Sequence, residues 1–574
     1  MKMKRTKSIP ALLLALVLVA GLMPVMPASA AGDIYVNSST GLLSEPLSSA
    51  YAVGSGGTGA VSGTYVMTAD GLTTIDGSGT GPGTGSTVRP GRDEVSPTPG
   101  HLSVTGSITL EYSKVKVGLY FDTGSRDTSL DHANLQNAVG SGYRFGYYDS
   151  SRSFVEVGYT NETAITMVMD TNTAIDSGYV VGCYHILLNG EYYSFAEASA
   201  AASMYQDGFA AYYNGVYRVL VGQYESQKLA EVDMNYRGLA GTAYSASNRC
   251  VVVVRSSDGK ILFEFDCGSE YDLAVSPQSE GAKAQTWFKN QKYYGDFIYR
   301  RNGGEQLTVI NVVNIEDYVK GVIPYEMSAS WPVEALKAQA LCARTYVASH
   351  FGSYSSYGFD VTNDTYCQVY RGTLGANANS DAAVDATAGQ YILYNGSPIS
   401  AMYCSSNGGA TENSENVTGS AVGYLRGKVD SFEAAAASIN GHSSWEYTLS
   451  RSEIAQKANV KGFSVGAVQD IEITYSATGN VIGMKLTDAN GRTATFNGSS
   501  CYSFCVSSLG LDSISFEITE NADSITFTGS GWGHSLGMSQ FGAYAMANTY
   551  GFTYDQIVNF YYTGITLAQG SYVN

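Results

Sequence analysis

The stretch VIPYEMSASW, residues 322–331, sets a single glutamate, Glu326, among the apolar side chains of Val322, Ile323, Tyr325 and Met327. A glutamate in a loop is ordinarily a solvated charge. Partly buried among such neighbours, its carboxyl is pushed toward the neutral range in which it can deliver a proton. Two glycine-rich stretches, SSNGG (405–409) and GWGHSLGMSQ (531–540), carry Ser, Asn, His and Gln, groups that hydrogen-bond acetamido and hydroxyl substituents. Tyr370, Tyr403 and Trp532 offer flat apolar faces with polar rims on which a ring can stack. The structural alternative is plain: glycines serve turns and aromatics pack. Ser405 and His534 come with no nucleophile elbow and no arranged Asp, which argues against a Ser-His-Asp hydrolase.

The element that must position Glu326 follows it. In WPVEALKAQALCARTYVASHF (331–351), Val333, Leu336, Ala340, Ala343, Val347 and Phe351 recur every three or four residues, predicting a helix with one apolar stripe. Pro332 suits its first turn, with Ser330 or Trp331 as the cap, and Glu326 lies in the loop just upstream. Glu334 falls in the first turn, where the helix dipole favours a carboxylate, and is assigned a structural role.

The 574 residues are enough for two to four domains. Lys2, Lys4, Arg5 and Lys7, an apolar run over 9–20 and the ASA at 28–30 read as a signal peptide cleaved after Ala30, with an uncleaved anchor as the alternative. Its removal takes the formal charge from −18 to −22, which argues against a nucleic-acid partner. Residues 31–105 end in GSGTGPGTGSTVRPGRDEVSPTPG and are read as a disordered Gly/Ser/Thr/Pro-rich arm and linker. A β-rich module is expected over 106–230, and a larger mixed α/β region over 231–570; the class is multi-domain α+β. Eight cysteines in an exported chain permit disulfides. With a two-residue turn at Asp258-Gly259, Cys250 and Cys267 would face each other as a non-hydrogen-bonded pair close enough to bridge; two packed thiols are the alternative.

Four stretches occur in order: NIEDYVKGVIPYEMSASWPVEALKAQALCARTYVASH (314–350), DVTNDTYCQVYRG (360–372), AMYCSSNGGATENSENVTG (401–419) and GSGWGHSLGMSQFGAYAMA (529–547). Together they resemble the stage II sporulation protein D (SpoIID/LytB) family of peptidoglycan-cleaving, lytic-transglycosylase-type enzymes. The resemblance spans about 231–570. It implies Glu326 as the catalytic acid, with Gln368, Tyr370, Tyr403, Ser405, Asn407, Trp532, His534, Ser539 and Gln540 around the glycan in one elongated cleft, and His534 orienting or hydrogen-bonding the transition state. It further implies peptidoglycan glycan strands, denuded or not, as the partner, no organic cofactor, and an extracellular, wall-associated location. Some relatives are amidase enhancers, so a non-catalytic glycan binder that stimulates a partner amidase is an alternative. A hydrolytic muramidase is another, and would need a water-activating carboxylate such as Asp360, Asp364, Glu412 or Glu415. Some members carry a Cys/His zinc site beside the second motif. Here Cys367 is kept without a histidine within fifteen residues, and His350 and Cys404 could join it only through the fold, so no metal is expected. Cys367 and Cys404 could instead pair as a disulfide. Upstream, residues 195–231, within about 180–230, resemble a SPOR repeat, a module that binds glycan strands stripped of stem peptides.

Overall fold

A computed structural model describes residues 86–301 and 306–573, together with the backbone of a hairpin formed by Thr64–Thr68 and Gly71–Ile75. The signal-peptide reading lies outside the described residues. No helix among them is long and apolar enough to cross a membrane.

The strands that organise the molecule are β1 (Val104–Leu110), β2 (Lys114–Tyr120), β3 (Ala164–Met169), β4 (Tyr184–Leu188), β5 (Gly208–Tyr213), β6 (Val216–Tyr224), β7 (Gly241–Tyr244), β8 (Val251–Arg255), β9 (Ile261–Asp266), β10 (Leu307–Asn314), β11 (Tyr403–Cys404), β12 (Met538–Ser539) and β13 (Thr566–Tyr572). The helices that matter to the site are α1 (Phe195–Ala202), α2 (Gln227–Arg237), α3 (Ile315–Glu326), α4 (Val333–Ser349) and α5 (Gln540–Asn548). The class is mixed α+β with several sheets.

A ten-stranded sheet runs β7-β4-β6-β5-β9-β8-β3 and continues through His132–Val139, Gln285–Phe288 and Gln291–Tyr293. Its first four strands and α1 and α2 follow the order β-α-β-β-α-β, a split βαβ unit covering 184–244. The helices cover one face of that unit through Ile186, Ala198, Ala202, Val221 and Ala230. The opposite face, with Phe209, Ala211 and Leu220, packs against Val252 and Val254 of β8 and Ile261 of β9. A boundary at 230/231 therefore does not divide the structure. It falls inside α2, and β5 pairs in parallel with β9, Ala210 opposite Phe263.

Two segments far apart in the described chain are woven together as well. β1 pairs in parallel with β13, and β2 is antiparallel to β10 in a second, seven-stranded sheet. Residues 86–100 are not a free linker. Ser86 bridges to Tyr475, and the largely buried Arg92 donates to the carbonyls of Gly408 and Thr478, each at 2.7 Å, to Asn480 Oδ1 at 2.7 Å and to Ser515 Oγ at 2.8 Å. Low hydrophobicity denies this segment a core of its own, but one guanidinium with five fixed donors can order a strap on somebody else's loops.

The β8–β9 hairpin also departs from expectation. Arg255 and Lys260 flank a longer turn, Gly259 takes φ +68°, and a bulge follows, so Val251 sits opposite Phe265. One residue of slip moves Cys267 out of register with Cys250. Neither this pair nor Cys367 and Cys404 is joined by a disulfide.

Candidate active site

Glu326 is the last residue of α3 and not a loop residue. Asn314 caps this helix through the Glu316 amide, and Ile315, Tyr318, Val319, Val322 and Ile323 form its buried side. Pro324 lies in the final turn, where losing one N–H is tolerable, so the helix continues past it to Glu326 and ends as Met327 turns extended. The following helix, α4, is capped at Pro332, one residue beyond the expected cap, and is buried from Ala338 to Thr345 on every face. Its Arg344, fully buried, grips Glu316 with Nη2–Oε2 at 2.7 Å and Nε–Oε1 at 2.9 Å, fixing the start of α3 against α4. Glu334, as expected, serves structure: it pairs with Lys337 and accepts from the Tyr554 amide.

The Glu326 side chain is enclosed, with 0 % of its surface exposed. Oε1 accepts from the Val369 amide at 3.0 Å and Oε2 from Gln540 Nε2 at 3.4 Å. Gln368, next to Val369, donates to Tyr403 Oη at 3.1 Å and accepts from Tyr318 at 3.0 Å. Tyr403 opens β11, which pairs in parallel with β12 just before Gln540, and Ser406 bridges to Trp532. A chain of hydrogen bonds and strand pairing thus joins the four stretches singled out in the sequence. They meet closed over the carboxylate and do not line an open cleft.

Several polar atoms in this junction are buried without a hydrogen-bond partner: Ser405 Oγ, Trp532 Nε1, Ser535 Oγ and Gln540 Oε1. Leaving such atoms unsatisfied costs about 1–3 kcal/mol each, a penalty that a polar ligand removes. His534 Nδ1 accepts the Leu536 amide at 2.9 Å, so the proton of the neutral ring sits on Nε2, beside the Tyr403 backbone. Burial lowers its pKa to about 4, so it is a neutral donor at physiological pH. Trp532 is the one half-buried ring of the expected three, packed against His442 with centroids 4.2 Å apart.

Other expected residues turn out to be architectural. Tyr370 is in the core, its ring 5.0 Å from Tyr318 and its hydroxyl 2.8 Å from Asn311 Oδ1, so it offers no stacking face. Tyr403 is buried too, with its hydroxyl engaged by Gln368. Asn407 spends both amide atoms internally, on Asp430 Oδ2 and the Gly409 amide, each at 2.8 Å. Ser539 caps α5 through the Gly542 amide and donates to Glu433 Oε2 at 2.6 Å.

Glu433 is the residue that sequence reasoning missed. It is buried and accepts from Ser406 Oγ, Ser539 Oγ and the amides of Asn407 and Gly408, so it holds both glycine-rich loops together. Burial, with Asp430 beside it, raises its pKa to about 7. Its surroundings in the sequence, DSFEAAAAS, give no such signal.

The model of a family described as "Stage II sporulation protein" matches residues 303–394, which contain Glu326. The chain is 34% identical over 273 residues to stage II sporulation protein D of Bacillus subtilis, an overlap covering 45% of this chain and 75% of that protein. The chain belongs to the stage II sporulation protein D family. An uncharacterized Brachyspira hyodysenteriae protein is 36% identical over 287 residues, 49% of this chain and 74% of that one. The amidase enhancer of Bacillus subtilis is 35% identical over 289 residues, but this overlap spans only 40% of its length and 43% of this chain. In this member of the SpoIID family, the buried network around Glu326 occupies the matched segment and its two C-terminal partner loops.

The muramidase alternative required a second free carboxylate. Asp360 is clasped by both terminal nitrogens of Arg152, at 2.6 and 2.7 Å, and Asp364 pairs with Arg126. Glu412 accepts from Ser476, Asn413 and Asn416, and Glu415 pairs with Arg426 at 2.6 Å. All four are held in structural bonds.

Proposed function

We propose that this protein is an exported peptidoglycan lytic transglycosylase in which Glu326 is the sole proton-transferring carboxylate. The observation that carries the reading is one enclosed carboxylate tied to every motif and bordered by unpartnered donors, while the neighbouring acids are saturated. Glycosidases usually employ two carboxylates, one as acid and one as nucleophile or water-activating base. A transglycosylase needs one. Glu326 gives its proton to the glycosidic oxygen as the bond to C1 of N-acetylmuramic acid breaks; it then takes the proton of that sugar's 6-hydroxyl as the oxygen closes on C1. The 1,6-anhydro end forms without water, because the nucleophile is already part of the substrate. The neutral His534 Nε2–H is suited to donate to an acetamido carbonyl or ring substituent, and the half-buried face of Trp532 to carry a sugar ring. Entry of the strand displaces the Gln540 amide from Glu326, the longer of that carboxylate's two described bonds.

Mass spectrometry of products from intact and peptide-free glycan strands tests this. Anhydro ends lighter by one water, absent with Glu326→Gln, are the expected result; hydrated ends or full activity of the variant would overturn it. The second reading, a glycan binder that stimulates an amidase, is favoured by the enclosure of Glu326 and by the similarity to a protein named amidase enhancer. Binding without cleavage would select it. The 184–244 unit has the element order suited to a SPOR-like module, and with its helix-free face packed against β8 and β9, we assign glycan contact to its helix side.

A further inference from the structure

Far from Glu326 in the sequence, three side chains converge inside the ten-stranded sheet: Asp170 at the end of β3, His185 in β4 and Glu264 in β9. Their candidate ligand atoms all lie within 4.8 Å of one another, and the side chains are 1 %, 0 % and 0 % exposed. β4 and β3 are five strand spacings apart in the sheet order, about 24 Å if the sheet were flat. His185 Nε2 nevertheless stands 3.3 Å from Asp170 Oδ1 and 3.4 Å from Glu264 Oε2. The sheet curls between β4 and β3, which brings the three side chains together.

Two features separate the cluster from an ordinary buried ion pair. The first is spacing. A charge-assisted N–H···O bond is normally about 2.7–2.9 Å, and these separations are longer. Two ligands at about 2.0–2.1 Å from zinc, set at the tetrahedral angle, lie about 3.3 Å apart, close to the two separations from His185 Nε2. The second is orientation. His185 Nδ1–H donates to the Gly222 carbonyl at 2.7 Å, which aims the Nε2 lone pair at the carboxylates. Glu264 Oε1 is held by Tyr213 Oη at 2.5 Å and by the Cys250 thiol at 3.4 Å, leaving Oε2 turned toward His185. Asp170 Oδ2 and Glu264 Oε2 are both buried without a hydrogen-bond partner. The nearby Arg301 donates to the Cys250 carbonyl and to neither carboxylate.

We propose that Asp170, His185 and Glu264 supply three ligands of a structural zinc site, with a water as the fourth, that locks the curled sheet and fixes the 184–244 unit to strands β3 and β9. Imidazole with carboxylates suits zinc, and two carboxylates neutralise the dication. The site shares no residue with the Glu326 network, and it revises the expectation of a metal-free chain.

Elemental analysis of the purified full chain, after dialysis against micromolar zinc, is expected to find one equivalent. Cobalt(II) in its place should give the visible absorption of a tetrahedral ion, and chelation should lower the unfolding temperature. Asp170→Asn and His185→Gln should lose the bound equivalent, whereas Cys367→Ser keeps it. Folded wild-type protein holding less than about 0.1 equivalent, or a folded His185→Gln protein retaining a full one, would overturn the site. Should the variants fail to fold, the wild-type cobalt spectrum decides: no tetrahedral absorption means no such site. An unfolding temperature indifferent to chelation would remove the structural role.

Discussion

Glu326 and Glu433 are both fully or nearly fully buried carboxylates, and they sit on consecutive links of one network, through Gln540 and Ser539 respectively. Their surroundings differ. Glu433 receives two hydroxyls and two amides, and its role is spent in tying SSNGG to GWGHSLGMSQ. Glu326 is carried on the end of a helix clamped by Arg344, its described bonds include the Val369 amide and the Gln540 side chain, and the adjacent loops hold buried polar atoms without a partner. A buried acid saturated with donors is architecture; one held rigidly beside unsatisfied groups is suited to act on a ligand.

The largest expected effect separates the two by activity. Glu326→Gln keeps the shape and the amide contacts but has no proton to give, so glycan cleavage should fall by about 10²–10⁴-fold with an unchanged unfolding temperature. Product mass spectrometry beside thermal unfolding reads both. A comparable loss in Glu433→Gln, at unchanged stability, would break the distinction.

Arg344→Ala should weaken the platform under Glu326 alone. It strands Glu316 beside a buried gap, and a loss of about 3–5 kcal/mol in denaturant unfolding is expected. Glu433→Gln should cost about 1–3 kcal/mol, since a carbonyl and an amide cannot replace four accepted bonds.

That variant also sharpens the comparison through pH. The folded-state pKa of Glu433 is raised, from 4.5 to about 7, by burial and by Asp430. Between those values the folded protein binds the proton more than the unfolded chain does. The contribution to stability is therefore full below about pH 4.5 and is lost as pH rises through 7. Urea unfolding across that window should show a downward slope that Glu433→Gln flattens; an equal slope in both proteins would contradict the assignment. The smallest effect is expected at Tyr370→Phe, which removes one core hydrogen bond to Asn311, about 1 kcal/mol, and leaves cleavage intact.

Much of this site was legible because its parts are local. The apolar spacing of 333–351 announced α4, and the glycines of 531–537 announced a loop whose backbone takes φ +92° at Gly531 and +65° at Gly537, conformations that β-carbons resist. Glu326 stood out once its apolar neighbours were joined to the resemblance carried by the four stretches. The loop reading of Glu326 missed α3, since a proline reads as a break although one near a helix C-terminus removes a single bond. Tyr370 was misread as a stacking face because sequence does not distinguish a ring that packs from a ring that is offered.

What the sequence by itself determined was a set of local motifs: the order of the four stretches and the helix behind Glu326. These rest on periodicity and turn chemistry, which act over a few residues. What only the tertiary structure decided were the meetings. Arg92 reaches Gly408 across 316 positions, Glu433 receives Ser539 across 106, and Asp170 meets His185 because a sheet curls. Such contacts are chosen by burial, where an unpaired polar group is costly and must find a partner wherever the chain brings one, and no local pattern records which partner that will be.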